Sequence, residues 1–333
     1  MSNESHNWLK SIKAKLFNKK SGARARLNAL RQQMTELSRQ VEQAKILAAQ
    51  GLIREMNRQS EPAALARSEF KVFSQFGDDG IIQYILQRLN LPVSEQRFVE
   101  FGVESYMEAN TRFLLVNNNW SGLIMDGSEE YMASVRKDDI YWRHELTVLA
   151  RFITRENINA LLEEAGFSGR IGLLSIDIDG NDYWVWEAIT VADPAVVIVE
   201  YNSLFGAHDP VTIPYQADFT RTQAHYSNLY WGTSLPALCL LAARKNYVWI
   251  GCNSAGNNAY FVRKTEADRF ICPQLPEGFV EAKFREGRNR EGRITHTGQR
   301  AGFPLVKHLP VWDVAKTRCA DSKKLFDKRR LRT

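Results

Sequence analysis

Residues 98–111, FVEFGVESYMEANT, decide how the chain is read. A short apolar run ends in the acid Glu100, turns at Gly102, and enters a helix at Asn110 or Thr111 that RFLLV continues. A strand that ends in acid–x–glycine and feeds a helix is the local form of many nucleotide-cofactor sites. The glycine lets backbone approach a ligand, and the helix start offers free N–H groups. Further on, WSGLIMD (120–126) is a second apolar strand tipped by an acid, Asp126. That spacing suits a carboxylate gripping ribose hydroxyls at the end of the second strand. A complete GxGxxG is absent, because Glu104, Tyr106 and Met107 stand where smaller residues would be expected. Two acid-tipped strands around one helix make a ribose-bearing cofactor the first expectation.

Strands and helices alternate on both sides of this stretch. Upstream, SQFGDDG (74–80) precedes the helical run IIQYILQRL, which Asn90 and Pro92 stop. The turn either caps that helix through Asp78 or Asp79 or lies with Gln75 over the cofactor mouth. Downstream, Glu129–Lys137 reads as a helix and Glu145–Ala150 as a weak third strand. Thr154, with Asn157 three residues on, opens the helix INALLEEAG. The strand Ile171–Asp177 ends in the turn IDIDGND, the helix YWVWEAI follows, and the strand Ala195–Glu200 ends in EYN. Unbroken β-branched runs between helices predict a Rossmann-like, doubly wound α/β fold with a mostly parallel sheet covered on both faces. A polar insert, Ser203–Tyr230, and the helix LPALCLLAARK lead to Tyr247–Cys252 and Ala259–Arg263, an antiparallel hairpin ending the sheet.

The ends differ from this body. The first 67 residues carry 13 Lys/Arg against 5 Asp/Glu, and residues 316–333 carry 8 against 2, so an acidic body lies between two basic ends. Residues 1–23 form a basic amphipathic segment, with Trp8, Leu9, Ile12 and Leu16 on one face, suited to an anionic membrane surface. Ser21-Gly22 breaks that pattern. Over 24–58 the pattern becomes a heptad, with Leu27, Met34, Val41 and Ala48 at one position and Leu30, Leu37, Ala44 and Gly51 at the other. This predicts a coiled-coil helix and a homo-oligomer built through it. A linker at 59–69, a catalytic body at 70–265 and a loosely organised C-terminal extension with a basic tail at 266–333 complete the expected organisation. No apolar run is long enough to span a membrane, and the four cysteines form no CxxC pair, which fits a cytoplasmic protein or one peripheral at the inner face of the membrane.

Taken together, SQFGDDG (74–80), FVEFGVESYMEANTRFL (98–114), WSGLIMDG (120–127), LLSIDIDGNDYW (173–184), VVIVEYN (196–202) and GCNSAGNNAYFVRK (251–264) resemble the FkbM-type S-adenosylmethionine-dependent methyltransferases. A parallel sheet closed by an antiparallel hairpin is typical of that class I methyltransferase fold. The resemblance covers roughly residues 70–264 and implies an O-methyltransferase acting on a glycan or another polyhydroxylated metabolite. It implies that Glu100 and Gly102 form the cofactor turn, that Asp126 holds the ribose, and that IDIDGND supplies the family's acids as Asp177, Asp179 and Asp182. Gln75 and Asn110 join the cofactor-binding set. Ser105 and Tyr106 depart from the family's small residues in the turn.

An alcohol is a poor nucleophile at neutral pH and needs a general base or a metal. Asp182, His208 and His225 are the candidate bases. Asp179, Glu200 and Asn202 are the candidate ligands for Mg²⁺ or Mn²⁺, which favour oxygen donors. Trp184, Trp186 and Trp231 either stack on a sugar or belong to the core. Two alternatives stay open: a catalytically silent scaffold recruited through the coiled coil and basic ends, and a nucleic-acid methyltransferase. The acidic body weighs against the second, so nucleic acid is not an expected partner.

Overall fold

The structure, a computed structural model, describes residues 3–59 and 61–321, with side chains at 24, 26–59, 61–298 and 301–320. The side chains of the N-terminal basic face and the basic tail beyond 321 lie outside the described residues. Contacts divide the chain into two compact units, 1–52 and 53–333.

The first unit is helical. A single helix, α1 (Asn3–Met56), runs through Ser21-Gly22 without the expected break. Along it the heptad side chains Leu27, Leu30, Met34, Leu37 and Val41 are about half to two-thirds exposed. The seam read from the sequence is therefore uncovered in the single chain.

The second unit is an α/β body. Its elements in order are α2 (Asp78–Leu89), β1 (Arg97–Phe101), α3 (Arg112–Asn118), β2 (Ser121–Asp126), α4 (Glu129–Val135), α5 (Asp139–Arg143), β3 (Leu146–Ala150), α6 (Ile158–Glu164), β4 (Gly169–Ile176), α7 (Asp182–Ala188) and β5 (Ala192–Glu200). Then come β6 (Val211–Thr212), α8 (Arg221–Ala224), α9 (Leu235–Arg244), β7 (Tyr247–Cys252), β8 (Asn258–Arg263), α10 (Gln299–Val306), β9 (Pro310–Asp313) and β10 (Arg318–Asp321). The seven-stranded sheet has the order β3-β2-β1-β4-β5-β8-β7. Its first five strands are parallel, and β8 is antiparallel to both neighbours. This is the mostly parallel, Rossmann-like sheet with a terminal hairpin that the sequence predicts.

Alternation along the strands divides the core. Val99, Phe101, Leu174, Ile176, Val197 and Val199 face one way, against α6, α7 and α9. Phe98, Ile124, Leu173, Val196 and Ile198 face the other, against α2, α3 and α4. Residues buried on both faces explain why these strands read as continuous apolar runs. Thr154 and Asn157 exchange reciprocal bonds at the entry to α6: Thr154 N–H donates to Asn157 Oδ1 at 2.9 Å and Asn157 N–H to Thr154 Oγ1 at 3.3 Å.

The C-terminal extension is more organised than expected. Phe279, Val280 and Trp312 pack on the main core, and the Tyr201 hydroxyl donates to Val280 O at 2.6 Å. The strand β9 pairs antiparallel with β6 of the polar insert and with β10, making a second, three-stranded sheet. Sparse but well-placed aromatics hold this segment, and period counting does not detect them.

Candidate active site

The crevice lies at the carboxyl ends of β1, β2, β4 and β5, over the β1/β4 boundary where the strand order reverses. Open sheets of this kind bind ligands there. It encloses about 440 Å³. Its lining includes Gln75, Glu100, Gly102, Asn110, Asp126, Asp177, Asp179 and Glu200, that is, every expected cofactor residue and two of the three expected ligands.

Glu100 is buried at the tip of β1. Its Oε1 accepts Asn110 N–H at 2.8 Å, and its Oε2 accepts Thr111 N–H at 3.0 Å and the Thr111 hydroxyl. The carboxylate thus satisfies donors at the start of α3 that the helix itself cannot. Burial pushes its pKa up to about 7, against the lowering effect of those bonds. Asp126 joins the first two turns: its Oδ2 accepts Glu104 N–H at 2.9 Å and its Oδ1 accepts Ser128 N–H at 2.8 Å. Asn110 Nδ2 donates to Ser175 Oγ at 3.1 Å, tying the start of α3 to β4.

Two features of the turn differ from the sequence reading. Gly102 has φ +73°, and a Cβ there would lie 1.5 Å from the carbonyl oxygen of Asp177. The glycine is thus required by the neighbouring turn of the protein. Tyr106 is fully buried, with its hydroxyl 3.0 Å from Thr111 Oγ1 and the Arg112 guanidinium near its ring. Its bulk points inward and leaves the crevice open.

The acids at β4 and β5 form the electrostatic centre. One carboxylate oxygen each from Asp177, Asp179 and Glu200 lies within 4.8 Å of the others. Glu200 is buried, and its Oε2 has no hydrogen-bond partner. Burial, and then mutual repulsion with the neighbouring acids, raise the pKa of both Asp177 and Glu200 well above the ordinary carboxylate range. Each carboxylate makes the other harder to ionise.

Asp182 and Asn202 are corrections. Asp182 is fully buried and accepts Ile178 N–H and Gly180 N–H, both at 2.9 Å, so it braces the IDIDGND turn and cannot reach an acceptor. Burial raises its pKa to about 6. The Asn202 amide donates to Leu229 O at 3.1 Å and Trp231 O at 3.0 Å, and its oxygen accepts Leu204 N–H at 3.0 Å. Its polar atoms hold the chain after β5 and are not free for a metal.

The histidines also lie away from the crevice lining. His208 is exposed, while His225 shares a 2.7 Å hydrogen bond with Ser227 Oγ, and burial lowers its pKa. Trp184 and Trp186 are core residues, the first donating to Ile213 O at 2.9 Å and the second packed on Phe261. In SQFGDDG, the Asp79 carboxylate does not cap α2. It accepts the backbone N–H groups of Val72, Phe73 and Ser74 at 2.8–2.9 Å and so folds the loop that presents Gln75.

Arg221 gives no local sequence signal, yet it is central. Its side chain is largely buried and pairs with Asp179 at 2.7 Å and with Glu286. It also donates to Asn228 O at 2.9 Å and lies over the Trp231 ring. It forms a wall between the crevice and two further cavities of about 340 and 610 Å³, both of which it lines with Glu286.

No protein-family model and no curated protein match the chain. Among solved structures, it is similar to the O-methyltransferase from Bacillus cereus in complex with SAH. Identity is 12%, covering 66% of this chain and 91% of that one, with a TM-score of 0.35. It is similar to an S-adenosylmethionine-dependent methyltransferase from Clostridium acetobutylicum at 11% identity, covering 56% and 90%, with a TM-score of 0.37. It is also similar to the N-terminal domain of EvdMO1 with SAH bound, at 13% identity, covering 63% and 94%, with a TM-score of 0.37. Likenesses this distant do not bear on what the present chain binds or does.

Proposed function

We propose that the chain is an S-adenosylmethionine-dependent O-methyltransferase that modifies a hydroxyl of a glycan or another polyhydroxylated metabolite, in the manner of the FkbM-type enzymes. The observation that carries this reading is the convergence of Glu100, Asp126, Asp177 and Glu200 on one crevice at the strand-order reversal. Asp126 would take the ribose hydroxyls on lone pairs that its two N–H contacts leave free. In an in-line displacement the acceptor oxygen bonds to the methyl carbon while the sulfur keeps the electron pair of the broken bond. The acceptor proton then has a receiver in the Asp177–Glu200 pair. Positioning the two reactants is the protein's main task.

The buried, unpartnered Glu200 Oε2 and the all-oxygen set of Asp177, Asp179 and Glu200 fit Mg²⁺ or Mn²⁺. Such an ion would lower the pKa of an acceptor hydroxyl. A silent scaffold has no use for a buried carboxylate oxygen left without a partner, which costs stability. We place the protein in the cytoplasm, where thiols such as its free cysteines stay reduced.

Calorimetric titration with S-adenosylmethionine tests the reading. Asp126→Ala is expected to weaken binding by about 1.5–3 kcal/mol, the loss of a charged hydrogen-bond partner, in a protein that stays folded. A folded wild type that gives no heat of binding would leave the methyltransferase reading without support. A methyl-transfer screen over nucleotide sugars, lipid-linked glycans and RNA then assigns the acceptor.

For the exposed seam of α1 we propose a second copy of the chain. Residues flanking the seam include Arg26 and Arg31, which a parallel in-register pair would set against each other. An antiparallel pair avoids this. Light scattering is expected to show an oligomer for the full chain and a monomer for a chain beginning near Ser68; two monomers would exclude self-pairing.

A further inference from the structure

Resting on the methyltransferase reading, we infer that the acceptor carries a phosphate or diphosphate group, held in the outer 610 Å³ cavity by Arg285 and Arg288. This cavity adjoins the crevice and shares Asp179, Arg221 and Glu286 with it. Phe219 forms part of its wall, packed so closely on Gly180 of the IDIDGND turn that a Cβ there would lie 2.3 Å from the ring. A molecule seated here has its reacting end beside Asp179 and its far end among residues outside the motifs of the resemblance.

Charge defines the far end. Of the acids lining the outer cavity, Asp179 and Glu286 are both engaged by Arg221. Glu104 lies at the side shared with the crevice. The Arg285 guanidinium donates to His296 O at 3.3 Å, and neither it nor Arg288 forms an ion pair among the described residues. Two guanidiniums in one cavity, neither of them paired with a carboxylate, are suited to a phosphate, which each can grip through two parallel N–H bonds.

The arginines are displayed by ordered backbone. Arg288 N–H donates to Ser227 O at 2.9 Å, and Thr295 N–H to Gly287 O at 2.7 Å. Asn289 Oδ1 accepts Glu291 N–H at 3.1 Å and Arg293 N–H at 2.9 Å, closing the turn. A cavity wall that is fixed before binding loses less freedom when the ligand arrives.

The test is titration of the full-length protein, in metal-free buffer, with inorganic pyrophosphate and in parallel with S-adenosylhomocysteine. The charge-reversed variant Arg285→Glu/Arg288→Glu is compared with Arg293→Glu, which alters an exposed arginine of the same turn outside the cavity lining. Pyrophosphate affinity is expected to fall tenfold or more in the double variant and to stay within twofold in Arg293→Glu, with S-adenosylhomocysteine binding unchanged in both. UDP-glucose and a polyprenyl phosphate in detergent micelles then separate a soluble nucleotide sugar from a lipid-linked one. Equal losses in both variants, or wild type that binds S-adenosylhomocysteine but none of the phosphates, would overturn the inference and leave the methyltransferase reading intact. Failure to bind S-adenosylhomocysteine would instead strike the methyltransferase reading.

Discussion

Gly102→Ala is expected to destabilise the α/β body by on the order of 3 kcal/mol or more and to abolish cofactor binding with it. The position is at φ +73°, where any L side chain is strained, and the added Cβ would sit 1.5 Å from Asp177 O and 2.7 Å from its carbonyl carbon. Backbone cannot swing aside as a side chain can, so the turns after β1 and β4 must separate. These are the turns that carry Glu100 and Asp177 into the crevice. Gly166→Ala provides the control. Its φ is +74°, but a Cβ there meets nothing within 4 Å. It should cost only the conformational preference, about 1–2 kcal/mol. Urea unfolding of the two variants separates collision from torsional strain. Equal losses in the two would mean that the β1 and β4 turns do not meet as described.

The same position shows what a sequence can and cannot reveal. That Gly102 follows an acid-tipped strand is local, and local patterns placed Glu100, Asp126, Asp177 and Glu200 at strand ends correctly, because strand ends are marked by composition. The reason for the glycine lies in a turn 75 residues away. Asp182 and Asn202 lie six and two residues past the ends of β4 and β5, but a short carboxylate or amide side chain in such a loop can bond nearby backbone instead of a ligand, as Asp182 does with Ile178 and Gly180 and Asn202 with Leu204. Sequence spacing is the same for either outcome. Arg221 is the opposite case. Its partners Asp179 and Glu286 lie 42 and 65 residues from it, so nothing near it in the chain marks its role. The size of Tyr106, which sets it apart from the small residues expected in the turn, is visible in the sequence, while its inward rotation is not. The C-terminal segment reads as loose in the sequence because its packing rests on isolated residues such as Phe279 and Trp312 rather than on a period.

Glu200→Gln is expected to abolish methyl transfer, by a hundredfold or more, while making the protein more stable at pH 8. The folded state raises the pKa of Asp177, Glu200, Asp182 and Glu100, in each case chiefly by burial. A raised acid binds its proton more tightly in the folded chain than in the unfolded one. Stability is therefore greatest below the ordinary carboxylate range and declines as pH rises through the folded values, about 6 for Asp182 and about 7 for Glu100, with Asp177 and Glu200 raised in the same direction. Glutamine keeps the shape of Glu200, removes one of the repelling charges and can donate to Asp177. The gain should be on the order of 1–3 kcal/mol at pH 8 and should shrink toward pH 5, because the raised Glu200 carboxyl holds its proton more tightly in the folded chain than in the unfolded one. Mg²⁺ should stabilise wild type at pH 8 far more than the variant, because the variant lacks the buried Oε2 that has no protein partner. Thermal melts at pH 5 and 8, each with EDTA or Mg²⁺, measure all of these differences. A variant less stable than wild type at pH 8 would show that the carboxylates do not repel one another there. Loss of activity with no response to Mg²⁺ or EDTA would leave Glu200 as the proton acceptor and remove the metal from the site.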